Sequence, residues 1–141
     1  MSTQDLKSTL LRYLDGLWNQ HNLAVIDEMI LPDFVDHSLP VGSPQGPEGA
    51  RQFAQAYLTG FPDCHIVFHE IVREGDTLVV RWTATGTHTG DLAGIPPSGK
   101  KMNLPGLTLW RFKDGKFIES WNIFNQFILL QQIGVLPVPA A

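Results

Sequence analysis

The spacing of apolar residues changes once along the chain, at Pro62, from a helical repeat to strict alternation. That change sets the order of its parts. Before it, Leu6, Leu10, Leu14 and Leu17 recur at helical spacing, and Tyr13 and Trp18 broaden their stripe. Ser2 followed by Asp5 suggests a cap for this first helix. Leu23, Ile26 and Ile30 share one face of a second helix, which Pro32 ends. The Pro- and Gly-rich residues 40–47 are irregular, and Pro47 suits the first turn of a third helix, where its missing N–H costs nothing. That helix carries Ala50, Phe53, Ala54 and Tyr57 on one side and stops near Gly60. Beyond Pro62, residues 64–74 and 76–88 read as strands joined at Glu74-Gly75-Asp76. Residues 100–112 and 116–124 form a second hairpin around Lys113-Asp114-Gly115, and 89–99 between the hairpins is a loop. A short helix, Gln126 to Ile133, is stopped by Gly134 and Pro137. Helices first and antiparallel strands afterwards predict an α+β fold rather than a parallel βαβ architecture.

At 141 residues the chain fits one domain, 1–141, and a domain of ~150 residues buries roughly 68–70% of its unfolded surface without disulfides. The single Cys64 has no intramolecular partner, so a reducing cytoplasm is the expected compartment. A net charge of −4 with no basic stripe argues against nucleic acid. No apolar run approaches the ~20 residues that span a bilayer, and the charged N-terminus lacks the apolar stretch of a signal peptide. Charged residues are 17% and apolar ones 43% of the chain, which leaves apolar surface to meet another subunit or a ligand.

Several short stretches stand in a specific order: Asp36-His37, Phe61-Pro62-Asp63, residues 81–90 from Arg81 to Gly90, and residues 94–99 from Gly94 to Gly99. Arg111-Phe112, Asp114-Gly115-Lys116, Glu119 to Asn122 and Leu130 to Gly134 follow. Together they resemble the SnoaL-like polyketide cyclases (ester cyclases) of the nuclear transport factor 2-like superfamily, over about residues 5 to 137. The resemblance implies a cone-shaped antiparallel sheet whose concave side is covered by three N-terminal helices, a short C-terminal helix, a ligand cavity inside the cone, and a homodimer. It also implies an intramolecular aldol closure without metal or organic cofactor, driven by an acidic residue near the end of the last strand. The residue in that place is Asn125. An amide can orient or polarise a carbonyl but cannot serve as the base.

The alternation of the last strand puts Glu119, Trp121, Ile123 and Asn125 on one face, which the resemblance turns toward the cavity. Asn125 also suits the cap position of the helix starting at Gln126, and Glu119 suits a rim position beside a cation. Histidine titrates near neutrality, and the resemblance places His37 at the cavity, so His37 is the first candidate for a base; a structural histidine is the competing reading. His88 either lies at the pocket mouth or anchors its loop through the ring nitrogens. Trp18, Tyr57 and Trp82 are candidate walls, although from alternation alone either Arg81 or Trp82 faces inward. His65 and His69 share a strand face, but about 13 Å between their Cα atoms is too far for one metal ion. Cys64 carries no nucleophile signature and reads as a small packed residue.

The expected function is a cofactor-independent cyclase or isomerase acting by proton transfer on a small hydrophobic, polyketide-like carbonyl compound. His37 would move the proton and Asn125 would orient the carbonyl. The competing expectation is a non-catalytic binding module for a hydrophobic metabolite, suggested by Asn125 in the place of the acid. Hydroxylase-related or epoxide-opening chemistry on the same fold needs a polar constellation that the sequence does not present.

Overall fold

The computed structural model describes residues 3–139, with side chains from Leu6 onward, so the expected Ser2–Asp5 cap lies outside the described residues. Helix α1 spans Thr3–Trp18, α2 Ala24–Met29 and α3 Gly46–Gly60. Strands β1 (Ile30–Asp36), β2 (His65–Glu74), β3 (Thr77–Thr87), β4 (Lys101–Lys113) and β5 (Lys116–Phe124) form one sheet in the order β1-β5-β4-β3-β2. Helix α4 spans Gln126–Gln132. The two hairpins and the helical frame thus stand within a residue or two of where periodicity puts them.

Strand β1 is the part that periodicity hides. The second helix ends at Met29 rather than running on to Pro32, and Ile30 opens a strand lying parallel to β5. Proline disfavours helix in the residue before it and has no N–H for a ladder, so Pro32 both ends α2 and restricts its strand to an edge. Its edge place lets Ile30 and Phe34 pack inward all the same. The antiparallel part of the sheet is therefore β2 to β5, with one parallel strand added.

Register shifts at Phe68/Glu70 in β2 and Arg111/Phe112 in β4 bend the sheet. The β4–β5 turn is closed by Asp114 and Gly115, both at positive φ (53° and 78°), the backbone that matches the twist of the flanking strands. Leu10 and Leu14 of α1 meet Leu78, Val80 and Phe117 of the sheet in one buried core. The second edge of the sheet is also covered: Asn19, just past α1, accepts from the Ile66 N–H (2.6 Å) and donates to the Ile66 carbonyl (2.9 Å). One side-chain amide thereby takes the place of a neighbouring strand. Among the described residues no helix is long and apolar enough to cross a membrane.

Candidate functional site

Between α1, α3 and the concave face of the sheet lies a cavity with about 900 Å³ of space free of protein atoms, its open mouth included. Its walls are mostly apolar. Leu14, Leu17 and Trp18 come from α1, Phe53 and Tyr57 from α3, and Val80, Trp82, Met102 and Leu104 from the sheet. Trp82 lies inward and Arg81 outward, where it pairs with Glu70 at 2.7 Å. Gly106 is the partner of Trp82 across the β3–β4 ladder, and a Cβ there would stand 2.1 Å from the indole. The absent side chain is what lets the ring lie across the strand.

The polar groups of the cavity gather on adjoining rows of the sheet. Asp36, Ser120 and Trp110 are cross-strand neighbours on β1, β5 and β4, and Asn122 with Thr108 forms the next inward row. Strand neighbours stand ~4.8 Å apart and successive same-face residues ~6.7 Å apart, so these side chains share one patch. Trp82 Nε1 donates to Thr108 Oγ1 (2.9 Å), and Thr108 donates to Asn122 Oδ1 (2.9 Å). The Asn122 backbone N–H donates to Ser38 Oγ at 2.6 Å. Trp110 Nε1 is buried without an acceptor.

Asp36 is the carboxylate of this patch. The Ser38 N–H donates to its Oδ1 at 2.8 Å. Burial raises its pKa above the usual carboxylate value, opposed by the Ser38 hydrogen bonds and the neighbouring His37. Tyr13, on the facing helix, also lines the cavity. Burial and then the charge of Asp36 push its phenol pKa upward, so the hydroxyl stays a donor. Cys64 also lines the cavity; burial and then Asp63 raise its thiol to about 11, which keeps it protonated and poorly nucleophilic near neutrality.

The sequence candidates divide into two groups. Trp18, Tyr57 and Trp82 line the cavity. His37, Glu119, Trp121 and Ile123 do not, which corrects the expected orientation of the last strand: Ser120, Asn122 and Phe124 are its inward residues. His37 follows the inward Asp36 and is turned to the outer face. There its ring stacks on Trp121 (4.3 Å between centroids, 13° between planes) and its Nε2 meets Glu119 Oε2 at 2.7 Å. Arg111 donates to the other Glu119 oxygen at 2.6 Å and lies 5.3 Å over the Trp121 ring. Asn125 is not a wall either; it stands beyond the strand as the N-cap of α4, its Oδ1 accepting from the Ile128 N–H at 3.1 Å. His88 is fully buried away from the cavity and ties down its loop: Nδ1 faces Ser98 Oγ at 2.9 Å and the Ser98 N–H at 3.2 Å.

The polar cavity-lining residues that sequence reasoning missed are Asp36, Asn122, Thr108 and Tyr13. Alternation from the apolar Phe34 marks Asp36 as inward, a signal visible only once residues 30–36 are known to be a strand. Among the described residues, no group of three or more His, Cys, Asp or Glu side chains is placed to hold a metal ion.

The fold has close parallels. TsrD from Streptomyces laurentii superposes with a TM-score of 0.86 at 22% identity, over 96% of this chain and 99% of its own. AclR from Streptomyces galilaeus, named as a hydroxylase, gives 0.84 at 30% identity over 98% and 87%. IdmH from Streptomyces antibioticus, named as a polyketide cyclase, gives 0.77 at 31% identity over 92% and 99%. No curated protein matches the chain significantly. The family model for SnoaL-like polyketide cyclases matches residues 8–133, nearly the whole of the described chain. The chain belongs to the SnoaL-like polyketide cyclase family.

Proposed function

We propose that the protein is a cyclase or isomerase that moves a proton next to the carbonyl of a small hydrophobic, polyketide-like compound, with Asp36 as the proton-transfer group and no cofactor. The observation that carries this reading is a carboxylate on the wall of a mostly apolar cavity, its pKa raised by burial. Desolvation makes such a carboxylate a better base than it is in water. Asp36 takes a proton from the carbon beside the carbonyl, and negative charge moves to the carbonyl oxygen. Tyr13, still protonated, offers a hydroxyl to that charge. Asp36 then returns the proton at a different atom, or the enolate carbon attacks a second carbonyl, closing a ring, and Asp36 returns its proton to the oxygen of that carbonyl. The apolar helices keep water from quenching the enolate. Membership of the cyclase family and the likeness to IdmH support the reading. Asp36 takes the role first expected of His37, and the carboxylate lacking at Asn125 is supplied from β1, the strand paired with β5.

We further infer a homodimer working in the cytoplasm, joined through the outer face of the sheet. Val67, Leu107 and Ile123 are exposed there, and Leu107 stands directly across the ladder from Ile123.

The test is exchange of the C1 protons of 2-tetralone, followed by proton NMR in deuterated buffer. The expected result is exchange faster with native protein than with buffer alone. Saturable binding of 2-tetralone with no acceleration supports a binding module instead.

A further inference from the structure

The donors and acceptors of the row Trp82–Thr108–Asn122 run in one direction only. An indole N–H donates and never accepts, so Thr108 Oγ1 must accept from Trp82 at 2.9 Å. The one proton of that buried hydroxyl is then directed to Asn122 Oδ1, also at 2.9 Å. With the amide turned over, Asn122 Nδ2 would donate to Thr108 and the hydroxyl proton would lose its acceptor, a costly loss in a buried group. The observed sense leaves both protons of Asn122 Nδ2 without an acceptor among the described residues, on a side chain that lines the cavity.

We infer that Asn122 is a specificity-determining residue whose amide donates to an acceptor oxygen of the ligand, and that Trp82 and Thr108 are positioning residues that hold the amide in that sense. This rests on the reading of the cavity as the substrate site and deepens it. The substrate presents a carbonyl or enolate oxygen, not a hydroxyl proton, to the row beside Asp36. A ligand that covers this donor without offering it an acceptor is penalised, so the site discriminates a ketone from the matching hydrocarbon. Asp36 and Asn122 lie on neighbouring rows of β1 and β5, so a carbonyl on Asn122 sets its adjacent C–H near the carboxylate.

The experiment compares 2-tetralone with tetralin, its hydrocarbon counterpart, by titration into the protein and into variants. The quantity read is the ratio of the two dissociation constants, tetralin over 2-tetralone, so that any general loosening of the cavity cancels. One neutral hydrogen bond corresponds to a roughly three- to tenfold effect. The ratio is expected to fall by about that factor in Asn122→Leu, to fall in the same direction in Thr108→Val, and to be retained in Thr108→Ser, which keeps the hydroxyl. Should Asn122→Leu fail to fold, the Thr108 pair decides. Both probes binding with a ratio unchanged in Asn122→Leu and in Thr108→Val overturns this inference and leaves the cavity as a ligand site. Neither probe binding to the unaltered protein overturns this inference and the proposed function together.

Discussion

Asp36 and His37 are adjacent in the chain and stand on opposite faces of the sheet: Asp36 lines the cavity, and His37 stacks on Trp121 outside it. The alternation of β1 and its parallel pairing to β5, continued by the His37 N–H donating to the Ser120 carbonyl at 3.0 Å, account for the division. The histidine is thereby kept out of the cavity, and the aspartate is brought into it.

Burial raises the Asp36 pKa, and this has a consequence for stability. A carboxyl whose folded pKa lies above its unfolded value contributes stability fully below the unfolded value and loses it as pH rises through the folded one. Asp36→Asn removes that loss. The variant is expected to melt above the unaltered protein at pH 7, and the gap is expected to close as the pH falls below about 4, the ordinary carboxylate range. Thermal melts from pH 4 to 8 measure it; a variant less stable at pH 7 than at pH 4, relative to the parent, contradicts the burial argument.

Glu119 behaves in the opposite sense. The hydrogen bond from His37, and then Arg111, hold its pKa below the usual carboxylate value. Its contribution is present above the ordinary value and lost as pH falls through the lowered one. Glu119→Gln is therefore expected to lower the melting temperature slightly at pH 7, with the difference fading on acidification and in high salt. Proton exchange in 2-tetralone is expected to stay unchanged, because this cluster lies outside the cavity.

Asn125 caps α4 and does not face the cavity. Asn125→Asp keeps an acceptor at the cap and should leave both stability and proton exchange near their starting values. Asn125→Ala should cost about 0.5–2 kcal/mol of stability, read by denaturant titration. A gain of exchange activity in Asn125→Asp would place the site on the other face of β5.

Gly106→Ala tests the wall. Its Cβ would stand 2.1 Å from Trp82, so the indole must shift or the strands must part. A loss of about 1–3 kcal/mol is expected, as for other overpacked sites, together with altered tryptophan near-UV dichroism and weaker binding of 2-tetralone. An unchanged spectrum and affinity would mean that Trp82 does not lie across β4.

The frame of the molecule was legible because its signals are local. The leucines of α1, the Asp114-Gly115 turn and the alternation of β3 each report their own conformation to a reader of one segment. β1 was not legible, since a strand holding Pro32 at a sheet edge has neither the composition nor the alternation of a central one. The site depends on that strand. Once β1 pairs with β5, the inward set becomes Asp36, Ser120 and Asn122, whereas counting back from Asn125 selects Glu119, Trp121 and Ile123. A shift of one residue exchanges the two faces of a strand, so Trp18 and Tyr57 could be placed from their own helices, whereas the inward face of β3 with Trp82 and the polar patch could not.

The central claim is that Asp36 moves the proton, and the exchange of 2-tetralone C1 protons measured side by side in three proteins tests it most directly. Loss of a positioned acid or base costs about 10²–10⁴-fold. Asp36→Asn, folded by circular dichroism and still binding 2-tetralone, is expected to lose exchange by at least about a hundredfold, while His37→Ala keeps the rate of the unaltered protein. Undiminished exchange in Asp36→Asn, or its loss in His37→Ala alone, would contradict the account.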